Sequence, residues 1–333
     1  MSPTDRPKRV WKARSIVLWT ALSAVAIVVL LTFITDLPPL IYAIKGFPLW
    51  LLIPVGFLSL GNYGLRYLKW HYYLRLLGYH LPPWRNLLVF LSGFALTVTP
   101  GKVGEFIKAF IVKERFQVPY TVSTAVLFME RFTDLAAILI LTATGISLTF
   151  LHWSTGALIL AALMASLLVL RNRKFIGYLI GLTGRFKPLE RVTSHLTDLY
   201  SRGWVLLRLR FFFLSLLISL VAWTLEGIGY FLVARGLGAG ITLHQGVFIY
   251  SAAILGGALT LFLGGLGATE GGMVGLGVLF QMERAVSVAV TIIIRTMTLW
   301  FGVCIGWAVF LSTPGLRSLL KSAGDENGDH PYA

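Results

Sequence analysis

The chain alternates long apolar runs with short polar segments in which Lys and Arg predominate. A helix needs about 20 mostly apolar residues to cross the hydrocarbon core of a bilayer. The sequence predicts six full spans, at about residues 15–34, 49–68, 121–150, 156–170, 211–233 and 285–311. The positions of the basic clusters between these spans place both chain termini in the cytoplasm.

Two further apolar stretches are interrupted by glycine-rich breaks. Runs at 87–98 and 106–112 flank the sequence TPGKVGE, and runs at 245–263 and 267–280 surround the sequence GGLGATE. Each run is too short for a full span, so we predict two re-entrant helical hairpins. The flanking charges indicate that the first enters from the cytoplasm and the second from outside. Such an inverted-repeat arrangement is typical of transporters with a substrate site at mid-membrane.

The pattern therefore indicates an all-α polytopic membrane protein. We predict a single transmembrane domain over residues 1–323, with pseudo-repeats at about 49–170 and 211–312. The linker at 171–210 carries nine Lys or Arg residues and is predicted to be cytoplasmic. The polar end at 324–333 is predicted to be a disordered tail.

Composition agrees with this picture and excludes several functions. The chain is 56% hydrophobic and only 13% charged. Its net charge of +15 could suit nucleic acid, but the basic residues are clustered between spans, which favours membrane topology instead. The lone Cys304 cannot form an intrachain disulfide. No P-loop or catalytic constellation is present, so we expect neither a cofactor nor an enzyme.

The candidate substrate-binding residues are the ionisable groups at membrane depth together with the glycines at the two breaks. They are Gly101, Lys102, Gly104, Glu105, Lys108, Glu130, Arg131, Asp134, Glu226, Gly265, Gly267, Glu270 and Arg295. An ionised side chain at a helix centre costs about 2.5 to 3.5 kcal/mol on insertion scales. These groups must therefore pair with one another, line water, or do both.

Glu105 and Glu270 each follow a glycine break, where a new half-helix should begin. One interpretation is that they cap these helices, because a carboxylate is stabilised by free N–H groups and the helix dipole. The other is that the free N–H groups, with Lys102 or Lys108 nearby, receive a phosphate oxygen, while the glutamates orient Arg131 or Arg295 or bind a cationic head group. The two interpretations are compatible.

Glu130 and Asp134 are one helical turn apart and share a face, where two bare carboxylates would repel each other. Either a cation or a proton lies between them, or they form a structural ion pair with Arg131 or another basic residue. No histidine accompanies them at ligand spacing, so a metal site is not expected.

The segment around residues 63–85 is rich in aromatic and basic side chains. We expect an interfacial aromatic belt formed by Tyr63, Tyr67, Trp70, Tyr72 and Tyr73. We expect the basic side of the membrane at Arg66, Lys69, Arg75 and Arg85.

Several of these segments resemble a known family. Residues 62–82, NYGLRYLKWHYYLRLLGYHLP, are followed by SGFALTVTPGKVGEFIKAF, MERFTD, AWTLEG, GGLGATEGG and IIIRT. This ordered set resembles the transmembrane flippase region of lysylphosphatidylglycerol synthases and of stand-alone proteins that share it. Leu263 stands where the family often has a proline. The aminoacyltransferase domain of the bifunctional members is not found in these residues, so we do not expect aminoacylation of lipid.

The resemblance implies a lipid flippase or scramblase in the bacterial cytoplasmic membrane. Its cargo would be an anionic or aminoacylated phospholipid or a polyprenyl-linked lipid. Two alternatives remain open at this stage. One is a membrane-embedded transferase acting on a polyprenyl phosphate, and the other is a small-solute transporter that uses Glu130 and Asp134 as a proton relay.

Overall fold

The structure is a computed structural model that describes residues 36–97, 103–150, 153–183, 190–260 and 265–313. These residues form helices joined by short turns, with no strand among them. Predictions that lie outside the described residues concern the first span at 15–34, the tail at 324–333, Leu263 and the candidate site residues Gly101 and Lys102.

The helices fall into two similar sets separated by a linker. The first half contains α1 (Leu37–Lys45), α2 (Leu52–Leu76), α3 (Pro83–Ser92), α4 (Val103–Phe116) and α5 (Tyr120–Phe150). Between the two sets lie α6 (Trp153–Arg171), which falls in the predicted first pseudo-repeat, and α7 (Arg173–Thr183) and α8 (Glu190–Leu206), which fall in the predicted linker at 171–210. The second half contains α9 (Leu209–Gly236), α10 (Leu243–Leu259), α11 (Ala268–Leu279), α12 (Arg284–Arg295) and α13 (Phe301–Ser312). A 3-10 turn at Gly93–Leu96 extends α3, and a π-helix at Thr296–Trp300 joins α12 to α13.

Four described helices are long and apolar enough to cross a membrane. They are Tyr120–Thr149, Trp153–Arg171, Leu209–Gly236 and Arg284–Ser312. Leu37–Lys45 and Leu49–Leu76 pass the same test together, with a 74° bend between them. The described helices thus supply four or five apolar spans, and the total of six stays a prediction.

Each predicted hairpin coincides with two short helices on either side of a break. The helices are α3 and α4 in the first half, and α10 and α11 in the second. They contain 10 to 17 residues, fewer than the roughly 20 needed to cross a bilayer. Parts of both breaks, at 98–102 and 261–264, lie outside the described residues. Entry from opposite faces of the membrane stays a prediction.

The two halves repeat the same backbone features in the same order. Gly78 follows α2 and Gly238 follows α9, with left-handed φ angles of 89° and 80°. Gln117 follows α4 and Gln281 follows α11, with φ angles of 55° and 63°. A positive φ is uncommon for a residue other than glycine, so its recurrence at both glutamines is a specific similarity between the halves.

Helices α2 and α9 pack along each other in antiparallel directions. Near the start of α2, a Cβ added at Gly236 would meet the side chain of Leu51. Further along, Asn62 Nδ2 donates a 2.9 Å hydrogen bond to the carbonyl oxygen of Ala222. At the other end, the ring of Tyr72 packs edge-on against Phe211, near the start of α9. The two halves therefore meet along this central pair.

The last apolar span of each half, α5 in the first and Arg284–Ser312 (α12, the π-helix and α13) in the second, also packs against the hairpin region of the other half. A Cβ added at Gly306 in α13 would overlap the backbone of Ala95, in the 3-10 turn of the first half. A Cβ added at Gly145 in α5 would overlap the side chain of Phe248 in α10. These reciprocal contacts enclose the space between the halves.

The prediction of an interfacial aromatic belt is wrong for Tyr63, Trp70 and Tyr73, which are buried. Trp70 Nε1 donates a 2.9 Å hydrogen bond to Asn86 Oδ1 in α3. The physical reason is the central position of α2, which contacts α9, α3 and α5 and so places these side chains in the protein interior.

Candidate functional site

A cavity of about 180 Å³ lies where the two halves meet. Every helix of the two halves from α2 onward contributes to its lining. The lining residues are Tyr63, Arg66, Phe90, Gly93, Phe94, Thr97, Lys108, Arg131, Trp223, Glu226, Tyr250, Ile254, Gly257, Ala258, Leu266, Thr269, Arg295, Thr298, Leu299, Gly302 and Val303. A single water molecule needs only about 10 to 15 Å³ of such a cavity volume, so a polar group larger than water fits in the cavity.

The charged side chains that line the cavity are predominantly basic. Among the described residues they are Arg66, Lys108, Arg131, Arg295 and a single carboxylate, Glu226. Positive charge concentrated in a cleft with apolar walls raises the local concentration of anions. Arginine in particular offers a planar fork of N–H donors that matches phosphate oxygens.

Arg131 is held by a carboxylate that also pairs with a buried lysine. Arg131 Nη2 lies 3.3 Å from Asp134 Oδ2, and Lys69 Nζ lies 2.5 Å from Asp134 Oδ1. Lys69 also donates to Ser219 Oγ at 2.7 Å. Because the Lys69 side chain is fully buried, Asp134 links an interior ion pair to the basic cavity wall.

Lys108 is positioned by one carboxylate and two aromatic rings. Its Nζ lies 3.1 Å from Glu130 Oε2. The same nitrogen lies 4.5 Å from the ring centroid of Trp70 and 4.8 Å from that of Phe90, within the range of cation–π attraction. This combination fixes the ammonium group at the cavity wall.

Glu130 and Asp134 do not face each other bare, because each has its own lysine. As the ion-pair interpretation predicts, Lys108 forms an ion pair with Glu130, and Lys69 and Arg131 form ion pairs with Asp134. The expectation that Lys69 and Arg66 mark the basic membrane surface is wrong. Lys69 is buried between α5 and α9, and Arg66 lines the cavity.

A signal in the sequence could have identified these two residues. Asn62, Arg66, Lys69 and Tyr73 recur at intervals of three or four residues in an otherwise apolar segment. That spacing places them on one face of a helix. A polar face on a membrane helix indicates a surface buried against other helices, and not one exposed to lipid.

Glu270 combines the two roles proposed for it. Its Oε2 accepts a 2.6 Å hydrogen bond from the backbone N–H of Gly267, which caps the start of α11. Its Oε1 lies 2.6 Å from Arg295 Nε. Gly267 has a φ of 84°, a conformation that glycine adopts without strain. The second break thus both begins a helix and orients a cavity arginine.

Glu226 faces the cavity from α9 and accepts a hydrogen bond from the hydroxyl of Tyr250 in α10. Both residues are buried. Immediately after Arg295, the π-helix brings Thr298 to the cavity, and the hydroxyl of Tyr63 donates a 2.6 Å hydrogen bond to the Thr298 carbonyl oxygen. Single π-turns inside α-helices are frequent at functional sites.

The structure thus brings four of the predicted residues to the cavity wall: Lys108, Arg131, Glu226 and Arg295. Three others stand behind the wall as ion-pair partners: Glu130, Asp134 and Glu270. The first break is less fully described. Gly101 and Lys102 lie outside the described residues, as does the side chain of Glu105, whereas Gly104 lies in the first turn of α4.

The glycines of the second break serve its backbone geometry. Gly265 has a φ of 86°, and a Cβ added there would overlap the carbonyl group of Gly257 in α10. Gly265 and Gly267 do not line the cavity themselves, although Leu266 and Thr269 do. Their part in the described structure is to let the chain turn closely against α10 and begin α11.

Comparison with known proteins finds similar sequences among prokaryotic membrane proteins. A UPF0104 membrane protein of Methanothermobacter thermautotrophicus is 26% identical over 243 residues, which cover 66% of this chain and 71% of that protein. A second such protein of the same organism is 26% identical over 286 residues, covering 79% and 83%. A UPF0104 membrane protein of Methanocaldococcus jannaschii is 22% identical over 237 residues, covering 70% and 99%.

The sequence profile described as the lysylphosphatidylglycerol synthase TM region matches residues 18–306. That range contains every residue that lines the cavity, from Tyr63 to Val303. This multi-pass membrane protein therefore belongs to the lysylphosphatidylglycerol synthase transmembrane-region family.

Proposed function

We propose that the protein moves a phosphate-bearing lipid between the leaflets of the cytoplasmic membrane, as a flippase or scramblase. The observation that carries this proposal is the basic cavity between the two halves of a membrane-embedded chain. The head group would enter the cavity while the acyl chains stay in the surrounding lipid. The family resemblance supports the same class of function.

The cavity offers a head group a replacement for part of its hydration shell. A phosphate loses favourable water contacts when it enters the hydrocarbon region. Charge-assisted hydrogen bonds from arginine and lysine are about twice as strong as neutral ones. Because Lys108, Arg131 and Arg295 are already held by carboxylates, they need little rearrangement to receive the phosphate.

We further propose that the two halves are inserted in opposite orientations, with both termini in the cytoplasm. The antiparallel packing of α2 and α9 supports this arrangement, as does the recurrence of the same elements in each half. Rocking of one half against the other would expose the cavity to each leaflet in turn, as in transporters built from inverted repeats.

The two alternatives drawn from the sequence have less support. Glu130 and Asp134 are engaged by buried lysines, whereas a proton relay needs carboxylates that exchange protons readily. The transferase alternative needs an acidic pair or a nucleophile, and the only carboxylate on the described cavity wall, Glu226, is bonded to Tyr250.

The proposal is tested by lipid movement in reconstituted vesicles. Purified protein is placed in phosphatidylcholine vesicles that contain a trace of phosphatidylglycerol labelled on a short acyl chain, and dithionite bleaches the outer leaflet. Wild-type protein should make the inner-leaflet label accessible, whereas Arg131→Gln should slow this strongly. Arg235→Gln, at an exposed position near the end of α9, is the matched control. Wild-type vesicles that behave like empty ones would contradict the proposal.

A further inference from the structure

We infer that Arg66 is the phosphate-binding residue of the cavity, and that the preferred lipid carries one net negative charge on a phosphodiester. This inference rests on the proposed function and specifies its substrate class. It departs from the family resemblance, which includes aminoacylated lipids with a positively charged head group.

Arg66 differs from the other basic residues on the cavity wall because no described carboxylate lies within ion-pair distance of it, although its charge interacts at longer range with Glu226 and Asp134. Lys108, Arg131 and Arg295 each form an ion pair with a buried carboxylate. Arg66 lies instead between two aromatic side chains, with its guanidinium carbon 5.8 Å from the ring centroid of Phe94 and 6.0 Å from that of Trp223. Its charge is thus oriented by aromatic rings and left available for an anion.

Two buried N–H groups on this part of the wall have no acceptor within the described structure. They are Arg66 Nε and Trp223 Nε1. A buried donor left unsatisfied costs about 1 to 3 kcal/mol, and more when it is charged. Both side chains line the same cavity and lie beside each other. A phosphate offers several acceptor oxygens in a small volume, and it would give Arg66 Nε or Trp223 Nε1 an acceptor once a side-chain rotation exposes that atom to the cavity.

The charges on the described part of the cavity wall indicate the sign of the charge that the ligand carries. Among the described lining residues, four charged side chains are basic and one is a carboxylate. A phosphodiester lipid without an amine brings only negative charge to this wall, whereas the amine of a zwitterionic head group also places a positive charge beside the basic side chains.

A positively charged head group finds no unoccupied carboxylate among the described residues of this cavity. Glu226 is the only carboxylate on the described wall, and it already accepts a hydrogen bond from Tyr250. Glu130, Asp134 and Glu270 are each occupied by a basic side chain. An added amine would meet mostly like charge, so the cavity discriminates against aminoacylated lipid by repulsion.

The test compares lipids of different charge in vesicles of otherwise pure phosphatidylcholine. The acyl-labelled probes are phosphatidylglycerol, phosphatidylethanolamine and lysylphosphatidylglycerol. The proteins are wild type, Arg66→Gln, Arg66→Lys and Arg75→Gln, the last being an exposed position on the same helix. Wild type should move phosphatidylglycerol at least about tenfold faster than the other two, the ratio that corresponds to one charge-assisted hydrogen bond.

Arg66→Gln should lower the rate of phosphatidylglycerol movement about tenfold and abolish the preference for this lipid over the other two. Arg75→Gln should behave like wild type. Arg66→Lys keeps the charge but loses the planar fork, so it should keep the preference at a reduced rate. It also serves as the folded comparison if Arg66→Gln does not purify as a single species. Equal rates for all three lipids in wild type, or an unchanged preference in Arg66→Gln, would overturn the inference and leave the proposed function standing.

Two further results are distinguishable in the same assay. Wild-type vesicles that move none of the lipids would overturn the proposed function itself. Water-soluble glycerophosphoglycerol should slow phosphatidylglycerol movement in wild type without accumulating inside the vesicles. Its accumulation would show that the cavity transports a soluble phosphodiester and would overturn the assignment to lipid.

Discussion

Arg131 and Arg295 occupy equivalent positions in the two halves of the protein. Each lies fourteen residues after a glutamine with left-handed backbone, Gln117 in the first half (117 to 131) and Gln281 in the second (281 to 295). Both arginines line the cavity, and each is paired with a buried carboxylate. Each half therefore contributes one guanidinium to the shared site from the same point of its fold.

Substitutions in the ion pair of Glu270 and Arg295 should affect the stability of the protein and its transport rate differently. Arg295→Gln leaves the fully buried Glu270 without its basic partner, which should lower the free energy of unfolding by about 3 to 5 kcal/mol. The double variant Glu270→Gln/Arg295→Gln removes both charges and should recover much of this stability. Transport should stay low in both variants, because both lack the cavity arginine. Unfolding in detergent and vesicle assays measure the two effects, and normal transport by the double variant would contradict this role of Arg295.

Lys69 should be structural, in contrast to the cavity residues. Lys69→Met removes the buried partner of Asp134 and should destabilise the protein by about 3 to 5 kcal/mol. Replacing Asp134 with leucine in addition should restore part of the loss. Arg75→Gln provides the control, since Arg75 is exposed on the same helix. Thermal unfolding in detergent checks the prediction, and a Lys69→Met protein as stable as wild type would refute it.

The close packing of α13 against the first half can be tested by replacing single glycines with alanine. A Cβ at Gly306 would overlap the backbone of Ala95, so Gly306→Ala must displace one element and should cost about 1 to 3 kcal/mol. Gly271 in α11 is exposed with no atom near its Cβ position, and Gly271→Ala should be neutral or slightly stabilising because alanine favours the helix. Equal unfolding temperatures for the two variants would contradict the packing described.

The opposite orientation of the two halves predicts opposite labelling of two equivalent glutamines. In a background with the exposed Cys304 replaced by serine, Gln117→Cys should react with membrane-impermeant maleimide only from the cytoplasmic side. Gln281→Cys should react only from outside. Labelling of intact and inverted vesicles distinguishes these outcomes. Reaction of both cysteines from the same side would rule out the inverted arrangement.

Much of the helical pattern could be predicted from the sequence, because apolar length and breaker residues determine it locally. The short helices on either side of Gly267 follow from such local signals. Ion-pair partners could not be predicted in the same way, because they depend on which helices meet. Lys69 reaches Asp134 across 65 residues of sequence, and Glu270 reaches Arg295 across 25. The charge rules, which are local, therefore predicted Lys69 and Arg66 at the membrane surface. Tertiary packing instead buries Lys69 and places Arg66 on the cavity wall.

The central claim is that the lipid head group passes through the cavity between the halves, and chemical blockage of that cavity tests it most directly. In the Cys304→Ser background, Ala258→Cys places a thiol on the cavity wall, whereas Gly256→Cys places one at an exposed position of the same helix that does not line the cavity. The measurement is the rate of phosphatidylglycerol movement before and after modification with a negatively charged methanethiosulfonate. The rate should fall to that of empty vesicles for Ala258→Cys and stay unchanged for Gly256→Cys. Undiminished movement by fully modified Ala258→Cys protein would contradict passage through this cavity.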